Sequence, residues 1–252
     1  MENKITTPNT TPAPRKEKIY QVALLQSLTL GQYDGFIKVK QLKKKGDTGI
    51  GTFDKMDGEL IMLDGIVYQV LSDGSVVEAV DDTKVPFGDV TFFSEDFSAE
   101  VQARSLSKLQ DRLTAIISDY GINAFYMVKL TGRFNAVVVR SEHPQRRPYP
   151  PLDEVMSKQT VFELHNISGT VVAFYCPPFM EGQNTVGWHS HFLSDDKKHG
   201  GHILELSTDM LMAHFDKASE YEMVLPDDDE FHDLDLGADL TEAIAKAEGT
   251  SE

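Results

Sequence analysis

Four of the eight histidines of this 252-residue chain lie within fourteen residues, in the stretch GWHSHFLSDDKKHGGH. Residues two apart on a β-strand point to the same face, so His189 and His191 are predicted to project together. The turn-forming segment SDDKKHGG predicts a hairpin that brings His202 back beside them. Three neutral imidazoles leave a fourth metal position open, as in catalytic zinc sites. The spacing therefore predicts a metal site at His189, His191 and His202, with His199 a solvated turn residue.

Three alternative interpretations of this cluster stay open from the residues alone. The histidines could be a coincidental group on an exposed hairpin. A cupin-type dioxygenase or isomerase also carries His-x-His on barrel strands, but it normally adds a glutamate a few residues later and a distant histidine. Here Asp195 and Asp196 lie in the predicted turn, and the third histidine follows early. A non-catalytic metal or small-ligand module is the remaining possibility.

Two charged residues continue the apolar faces of predicted strands. In FNAVVVRS, alternation places Arg140 on the face of Phe134 and Val138. A buried guanidinium requires an anion, so Arg140 is a candidate for a substrate carboxylate or a catalytic acid. In ELIML, Glu59 shares a face with Ile61, and an inward carboxylate needs a metal or an arginine as partner. For both residues, a position at a strand end turned toward solvent is the alternative.

Composition and charge narrow the class of protein. A formal net charge of −16 and a pI near 4.8 argue against nucleic acid as a partner. The N-terminal stretch MENKITTPNTTPAPRKEK lacks the apolar core of a signal peptide, and no segment reaches the ~18 apolar residues of a membrane helix. Cys176 is the only cysteine and lies in the apolar run VVAFYCPPF, which predicts a packed, reduced thiol. We therefore expect a cytoplasmic protein with no membrane partner.

The elements predicted from the sequence are mostly strands. IYQVALLQSL is predicted as a strand and FIKVKQLKKKG as a short helix, followed by a β-meander with three Asp-Gly pairs as its turns. Leucines and isoleucines at helical spacing predict a helix over SLSKLQDRLTAIISDYG. NAFYMVKLTG and FNAVVVRS are predicted as two strands around a Thr-Gly turn.

The domain organisation follows from composition. Residues 1–18 are predicted to be a disordered tail. The proline-rich stretch HPQRRPYPPLDEV marks a boundary between residues 19–148 and 149–252. The second unit, with strands in TVFELHNISGTVVAFYCP, the histidine stretch and EYEMVLP, is expected to be mainly antiparallel. From His214 onward, acids strongly outnumber lysines, which predicts a solvated acidic tail.

The order of these motifs resembles the acetolactate decarboxylase family. The segments that carry the resemblance span roughly residues 19–249 and occur in the family's order: GIGTFDKMDGELIMLDG, VPFGDVTFF, GRFNAVVVRSEHPQRRPYPPL and GWHSHFLSDDKKHGGHILE. The resemblance implies an enzyme of acetoin and butanediol biosynthesis that converts (S)-2-acetolactate to (R)-acetoin and CO2. It implies a zinc ion on the three histidines. It also implies four active-site positions, namely Glu59, Arg140, Glu248 and Thr52.

The resemblance further implies a fold. The chain is expected to be an α/β, β-rich protein with an N-terminal mixed β-sheet domain that carries a few helices. An antiparallel, β-barrel-like C-terminal domain is expected to carry the metal site. The family also implies a homodimer that shares sheet edges.

The chemistry of the reaction agrees with these residue types. Loss of CO2 from acetolactate leaves an electron pair that must delocalise onto the ketone oxygen as an enediolate. Many decarboxylases use a Schiff-base lysine, pyridoxal phosphate or thiamine as the electron sink, and no signature of those cofactors is visible here. A zinc ion would act instead as a Lewis acid. Arg140 is predicted to orient the carboxylate, and the proton donor is this arginine, a water or Glu59.

Overall fold

The structure is a computed structural model that describes residues 5–6, 18–237, 240 and 243–244. The predicted tail 1–18 lies outside this range except for residues 5–6 and 18, and Glu248 also lies outside it. The helices of the described part are short apart from one: α1 Leu25–Thr29, α2 Val39–Leu42, α3 Leu106–Ser118, α4 Leu152–Met156 and α5 Asp229–His232. None of the helices in these ranges is long and apolar enough to cross a membrane.

Strands dominate the described residues. In chain order, they are β1 Ile5–Thr6, β2 Lys18–Val22, β3 Ile37–Lys38, β4 Thr48–Thr52, β5 Glu59–Leu63, β6 Ile66–Val70, β7 Val76–Glu78, β8 Lys84–Val85, β9 Phe87–Thr91, β10 Phe97–Ala103, β11 Phe125–Ser141, β12 Thr160–Cys176, β13 Gly187–Ser194, β14 Gly200–Ala218 and β15 Glu220–Val224.

These strands form two large sheets and one small one. The mixed sheet has the order β15-β2-β9-β4-β5-β6-β7, with β15 parallel to β2 and the other pairs antiparallel. The antiparallel sheet has the order β1-β10-β14-β11-β12-β13, and β3 pairs with β8. The expected β-rich fold with a mixed and an antiparallel sheet is confirmed. An additional β13–β14 pairing covers three register positions, and closure into a barrel stays a prediction.

Both large sheets take strands from both sides of residue 148. In particular, β15 joins β2 in the mixed sheet, so the expectation that EYEMVLP belongs to the antiparallel unit is wrong. Glu222 of β15 accepts hydrogen bonds from Lys18 at 2.8 Å and Lys45 at 2.6 Å, which gives this acidic strand cationic neighbours. The division of the chain into two domains stays a prediction.

The acidic tail begins later than predicted. His214 lies within β14 and Phe215 beside it is fully buried, so the segment from His214 through β15 is part of the sheets. The prediction of a solvated tail from His214 used only the number of acidic residues. It overlooked the apolar residues that alternate with the charged ones along these strands.

The predicted β-meander is confirmed as β4 to β7. The Asp64-Gly65 turn between β5 and β6 has positive φ at both residues, 52° and 82°, the geometry of a tight hairpin that an Asp-Gly pair favours. The β4–β5 ladder sets Glu59 at the start of β5, opposite Thr52 at the end of β4. The meander thereby places both residues at one end of the mixed sheet.

Two other local predictions are wrong in part. The strand predicted over IYQVALLQSL ends at Val22, because Ala23 adopts a φ of +58° and Leu25–Thr29 then forms α1. The predicted Thr-Gly turn does not form. β11 runs straight through Gly132, because β12 and β14 supply hydrogen-bonding partners on both of its edges.

Helix α3 and the space between the sheets provide the core. Ser105 caps α3 by accepting a hydrogen bond from the backbone N–H of Lys108, and the predicted apolar stripe is buried against the antiparallel sheet. A second cluster lies between the two large sheets, where Ile61 and Val70 of the mixed sheet meet Val172 of the antiparallel one. The histidine hairpin lies against the start of β5, where Nδ1 of His191 is 3.0 Å from the Leu60 carbonyl oxygen.

Candidate active site

The β13–β14 hairpin brings the three predicted histidines together. His191 pairs directly with His202 across the hairpin, and His189 lies two residues earlier on the face of His191. The Nε2 atom of His189 lies 3.1 Å from Nδ1 of His202 and 3.1 Å from Nε2 of His191. All three side chains are buried, and their ligand atoms lie within 4.8 Å of one another. The predicted convergence is confirmed, and this group could hold a metal ion.

The tautomer and charge of these rings suit a metal. Nδ1 of His191 lies 3.0 Å from the Leu60 carbonyl oxygen, so this nitrogen carries the proton and leaves a lone pair on Nε2. Burial, with the nearby Arg140 cation, lowers the pKa of His189 to about 3, and burial holds the pKa of His191 well below its usual value. His189 and His191 are therefore neutral at pH 7, the form that binds metals.

The spacing of the nitrogens also fits a small divalent ion. Metal–nitrogen bonds of about 2.05 Å at tetrahedral angles separate two ligand nitrogens by about 3.3 Å. The two observed separations of 3.1 Å lie close to that value. Little movement of the imidazoles is needed to coordinate an ion.

Glu59 extends the polar site from the mixed sheet. Its side chain is buried, as its alternation with Ile61 predicts, and its Oε2 atom lies 3.4 Å from Nε2 of His191. A carboxylate this close to converging imidazole lone pairs favours a cation between them. Thr52, across the ladder, donates a hydrogen bond from Oγ1 to the Gly58 carbonyl at 2.9 Å and so holds the backbone next to Glu59.

Arg140 enters from the antiparallel sheet and is buried, as predicted. It pairs with His202 across β11 and β14, which fixes its side chain beside the imidazoles. Its Nη1 atom lies 2.9 Å from Sδ of Met156 and 3.0 Å from Oε1 of Gln159. Its Nε atom lies 3.8 Å from Oε1 of Glu142. The guanidinium is thus held on two edges by side chains of this protein.

Most of these groups line one pocket. Its polar wall combines imidazoles, carboxylates and a guanidinium: Thr52, Glu59, Arg140, Glu142, His189 and His202. Its apolar wall comes from the mixed sheet and the short helices: Leu25, Leu28, Met56, Phe87, Leu152 and Met156. Such a pocket suits a small anionic molecule with a compact apolar part.

Sequence reasoning missed three residues of this site. Glu142 follows Arg140 by two positions, so the alternation that placed Arg140 inward also extends to it. Met156 and Gln159 carried no such signal, because they follow shortly after the proline-rich stretch interpreted as a boundary. His199 is exposed in the hairpin turn, as predicted.

Comparison with known proteins places this arrangement in a family. The model of the alpha-acetolactate decarboxylase family matches residues 19–238. The chain is 39% identical over 231 residues to the alpha-acetolactate decarboxylase of Methanosarcina mazei, a match that covers 91% of this chain and 80% of that protein. It is 37% identical over 241 residues to the enzyme of the same name from Brevibacillus brevis, covering 94% and 82%.

A solved structure agrees with the sequence matches. The crystal structure of alpha-acetolactate decarboxylase from Bacillus subtilis strain 168 superposes with a TM-score of 0.88 at 31% identity, covering 92% of this chain and 99% of that one. The resemblance found in the sequence is confirmed, and this chain belongs to the alpha-acetolactate decarboxylase family.

Proposed function

We propose that this protein is a metal-dependent decarboxylase that converts (S)-2-acetolactate to (R)-acetoin and CO2. One observation carries the proposal beyond family membership: three buried imidazoles converge, and two of them, His189 and His202, line the same pocket as a buried guanidinium. The substrate is a small anion with a carboxylate, a tertiary hydroxyl and a ketone. Each of these groups has a partner of matching chemistry in the pocket wall.

We propose zinc as the ion held by His189, His191 and His202. Three neutral histidines with an open fourth position are the ligand set of many catalytic zinc sites, and the separations between their nitrogens suit zinc–nitrogen bonds. When bound, the ion supplies a Lewis acid that stabilises negative charge on the ketone oxygen.

Arg140 orients the substrate for bond cleavage. Its guanidinium faces the pocket, where it can bind the substrate carboxylate in a planar, two-bond arrangement. The bond between C2 and the carboxylate carbon then breaks, and its electron pair moves onto the ketone oxygen as CO2 departs. The resulting enediolate is planar, so the face that receives the next proton decides the stereochemistry.

Glu59 is proposed to deliver that proton to C2, and the enediolate electron pair forms the new C–H bond as the ketone is restored. Its carboxyl group lies at the imidazole cluster, on the wall formed by the mixed sheet. Arginine is a poor proton donor because its pKa is very high. Thr52 acts through the Gly58 carbonyl and keeps the start of β5 in place.

The proposal also includes Glu248. Ile244, four residues earlier, packs against the apolar cluster that contains Leu25, Leu28 and Met56 of the pocket wall. A chain that approaches the pocket at residue 244 is within reach of it at residue 248. We propose that this glutamate contributes a further carboxyl group.

The setting of the enzyme is part of the same proposal. We propose a homodimer, as family membership implies, that acts in the cytoplasm. Cys176 is buried and makes no disulfide, which suits a reducing compartment. Sedimentation of the purified chain tests the dimer, and fractionation of cells tests the location.

The reaction itself is tested with enantiopure (S)-2-acetolactate and zinc-loaded protein. The proposal expects equal amounts of CO2 and acetoin, with (R)-acetoin in excess on a chiral column. Oxygen uptake is measured in the same vessel. Oxygen consumption without acetoin would favour a cupin-type oxygenase, and tight binding without turnover would favour a binding module.

A further inference from the structure

Glu142 is a buried carboxylate inside the pocket that the proposed reaction does not use. It follows the end of β11 and is only 1% exposed. Within the described part of the chain, neither of its oxygens accepts a hydrogen bond. A carboxylate in that position is costly to bury unless a charge or a ligand offsets it. The burial of this carboxylate therefore indicates a role for its charge inside the pocket.

The nearest opposite charge is Arg140. Oε1 of Glu142 lies 3.8 Å from Nε of Arg140, close enough for strong electrostatic attraction but longer than a hydrogen bond. The other edge of the guanidinium contacts Met156 and Gln159, which are both neutral. Glu142 thus lies within ion-pair distance of this arginine.

We infer that Glu142 is a positioning residue for the decarboxylation, whose negative charge limits how tightly Arg140 holds the substrate carboxylate in the ground state. This inference rests on the proposed function. Glu142 acts through Arg140 and also lines the pocket, where it repels the same carboxylate.

The movement of charge during the reaction explains why weaker binding of the substrate carboxylate by Arg140 would raise kcat. The negative charge begins on the carboxylate and moves to the ketone oxygen as the C2–carboxylate bond breaks, and CO2 leaves neutral. A cation fixed on the carboxylate therefore stabilises the substrate more than the transition state. Only interactions that are stronger in the transition state raise kcat. A carboxylate beside Arg140 weakens the ground-state interaction while keeping the guanidinium in place for orientation.

The test replaces Glu142 with Gln, which keeps its size and removes its charge. In zinc-loaded E142Q protein, KM for acetolactate should fall by about tenfold and kcat should fall by a similar factor, because extra ground-state binding lowers both. E142D keeps the charge but withdraws it by one methylene, so both constants should lie between those of wild type and E142Q. E163Q, an exposed carboxylate on β12, is the matched control and should match wild type in both.

A binding measurement separates charge from disturbed packing. 2-Hydroxy-2-methylpropanoate has the carboxylate and tertiary hydroxyl but no ketone, so it cannot follow the reaction. It should inhibit E142Q about tenfold more tightly than wild type, whereas inhibition by neutral acetoin should be unchanged. A mere packing defect would weaken both ligands.

The inference is overturned if E142Q, or E142D should E142Q not fold, shows a raised or unchanged KM. It is also overturned if kcat falls alone, since that would assign Glu142 to the transition state. Wild-type protein in the same assay distinguishes failure of the proposed function from failure of the proposed role of Glu142. If wild type makes no acetoin, the proposed function fails. If wild type makes acetoin but KM and kcat do not fall together in E142Q, only the role of Glu142 fails.

Discussion

Replacement of Arg140 by Lys should lower turnover sharply while the metal site stays intact. The variant keeps a positive charge but loses the planar fork that can bind two carboxylate oxygens at once. Lysine also lacks an Nη1 atom. The variant therefore loses the 3.0 Å contact of Nη1 with Oε1 of Gln159 and its contact with Sδ of Met156. The orientation of the guanidinium depends on those contacts.

The expected size follows from the number of bonds affected. A hydrogen bond to a charged group contributes about 1.5–3 kcal/mol, and a point charge can replace one arm of a two-bond contact but not the other. Loss of one such bond lets the substrate carboxylate rotate out of the orientation needed for cleavage, and this loss of positioning raises the barrier by about 3 kcal/mol. That corresponds to a fall in kcat of about a hundredfold.

The assay follows acetoin formation from (S)-2-acetolactate and measures zinc content on the same samples. Arg133→Lys is the matched control, because Arg133 is an exposed residue of the same strand. It should retain wild-type turnover. If zinc-loaded Arg140→Lys also keeps near-normal kcat, the assignment of the substrate carboxylate to this guanidinium is refuted.

Three further predictions concern other buried groups. Glu59→Gln, with zinc bound, should yield acetoin of reduced enantiomeric excess on a chiral column, because the proton would no longer come from one wall; fully (R) product at normal rate would contradict this. Cys176→Ser should lower the free energy of unfolding by about 1 kcal/mol in urea titrations, because a hydroxyl replaces a fully buried thiol, yet leave kcat unchanged; a loss of kcat in folded, zinc-loaded protein would count against it. Asp89 is fully buried, and burial raises its pKa to about 7 despite two hydrogen bonds from Asn184. The unfolded carboxyl ionises near pH 4, so this residue destabilises the fold increasingly from about pH 4 to pH 7. Asp89→Asn should remove that loss, which urea titrations at about pH 5 and about pH 8 measure; parallel pH dependence in both proteins would rule it out.

The metal cluster was predictable from the sequence because its signal is local. His189 and His191 share a strand face by a period of two, and one hairpin turn brings back His202. Alternation also placed Glu59 inward. Arg140 is buried as predicted, but the alternation from Phe134 does not hold, because Val137 and Val139 enter the core and Val138 is only half-buried. These predictions need only strand geometry and a turn, and the structure confirms the placement.

Features that depend on distant partners were not predictable in this way. A single strand through Gly132 requires two long neighbours, and the pairing of β15 with β2 joins opposite ends of the chain. The contacts of Arg140 with Met156 and Gln159 depend on how α4 folds back over the pocket. No local pattern encodes such long-range packing.

Turnover is proposed to depend on one metal ion held by three histidines, and a metal titration measures that dependence. Protein stripped with a chelator should form no acetoin, and activity should rise linearly with added zinc up to about one ion per chain. His191→Ala should bind no zinc tightly and stay inactive, whereas His199→Ala, an exposed turn variant, should follow the wild-type curve. Full acetoin formation by metal-free wild type, or by His191→Ala without bound metal, would contradict the account.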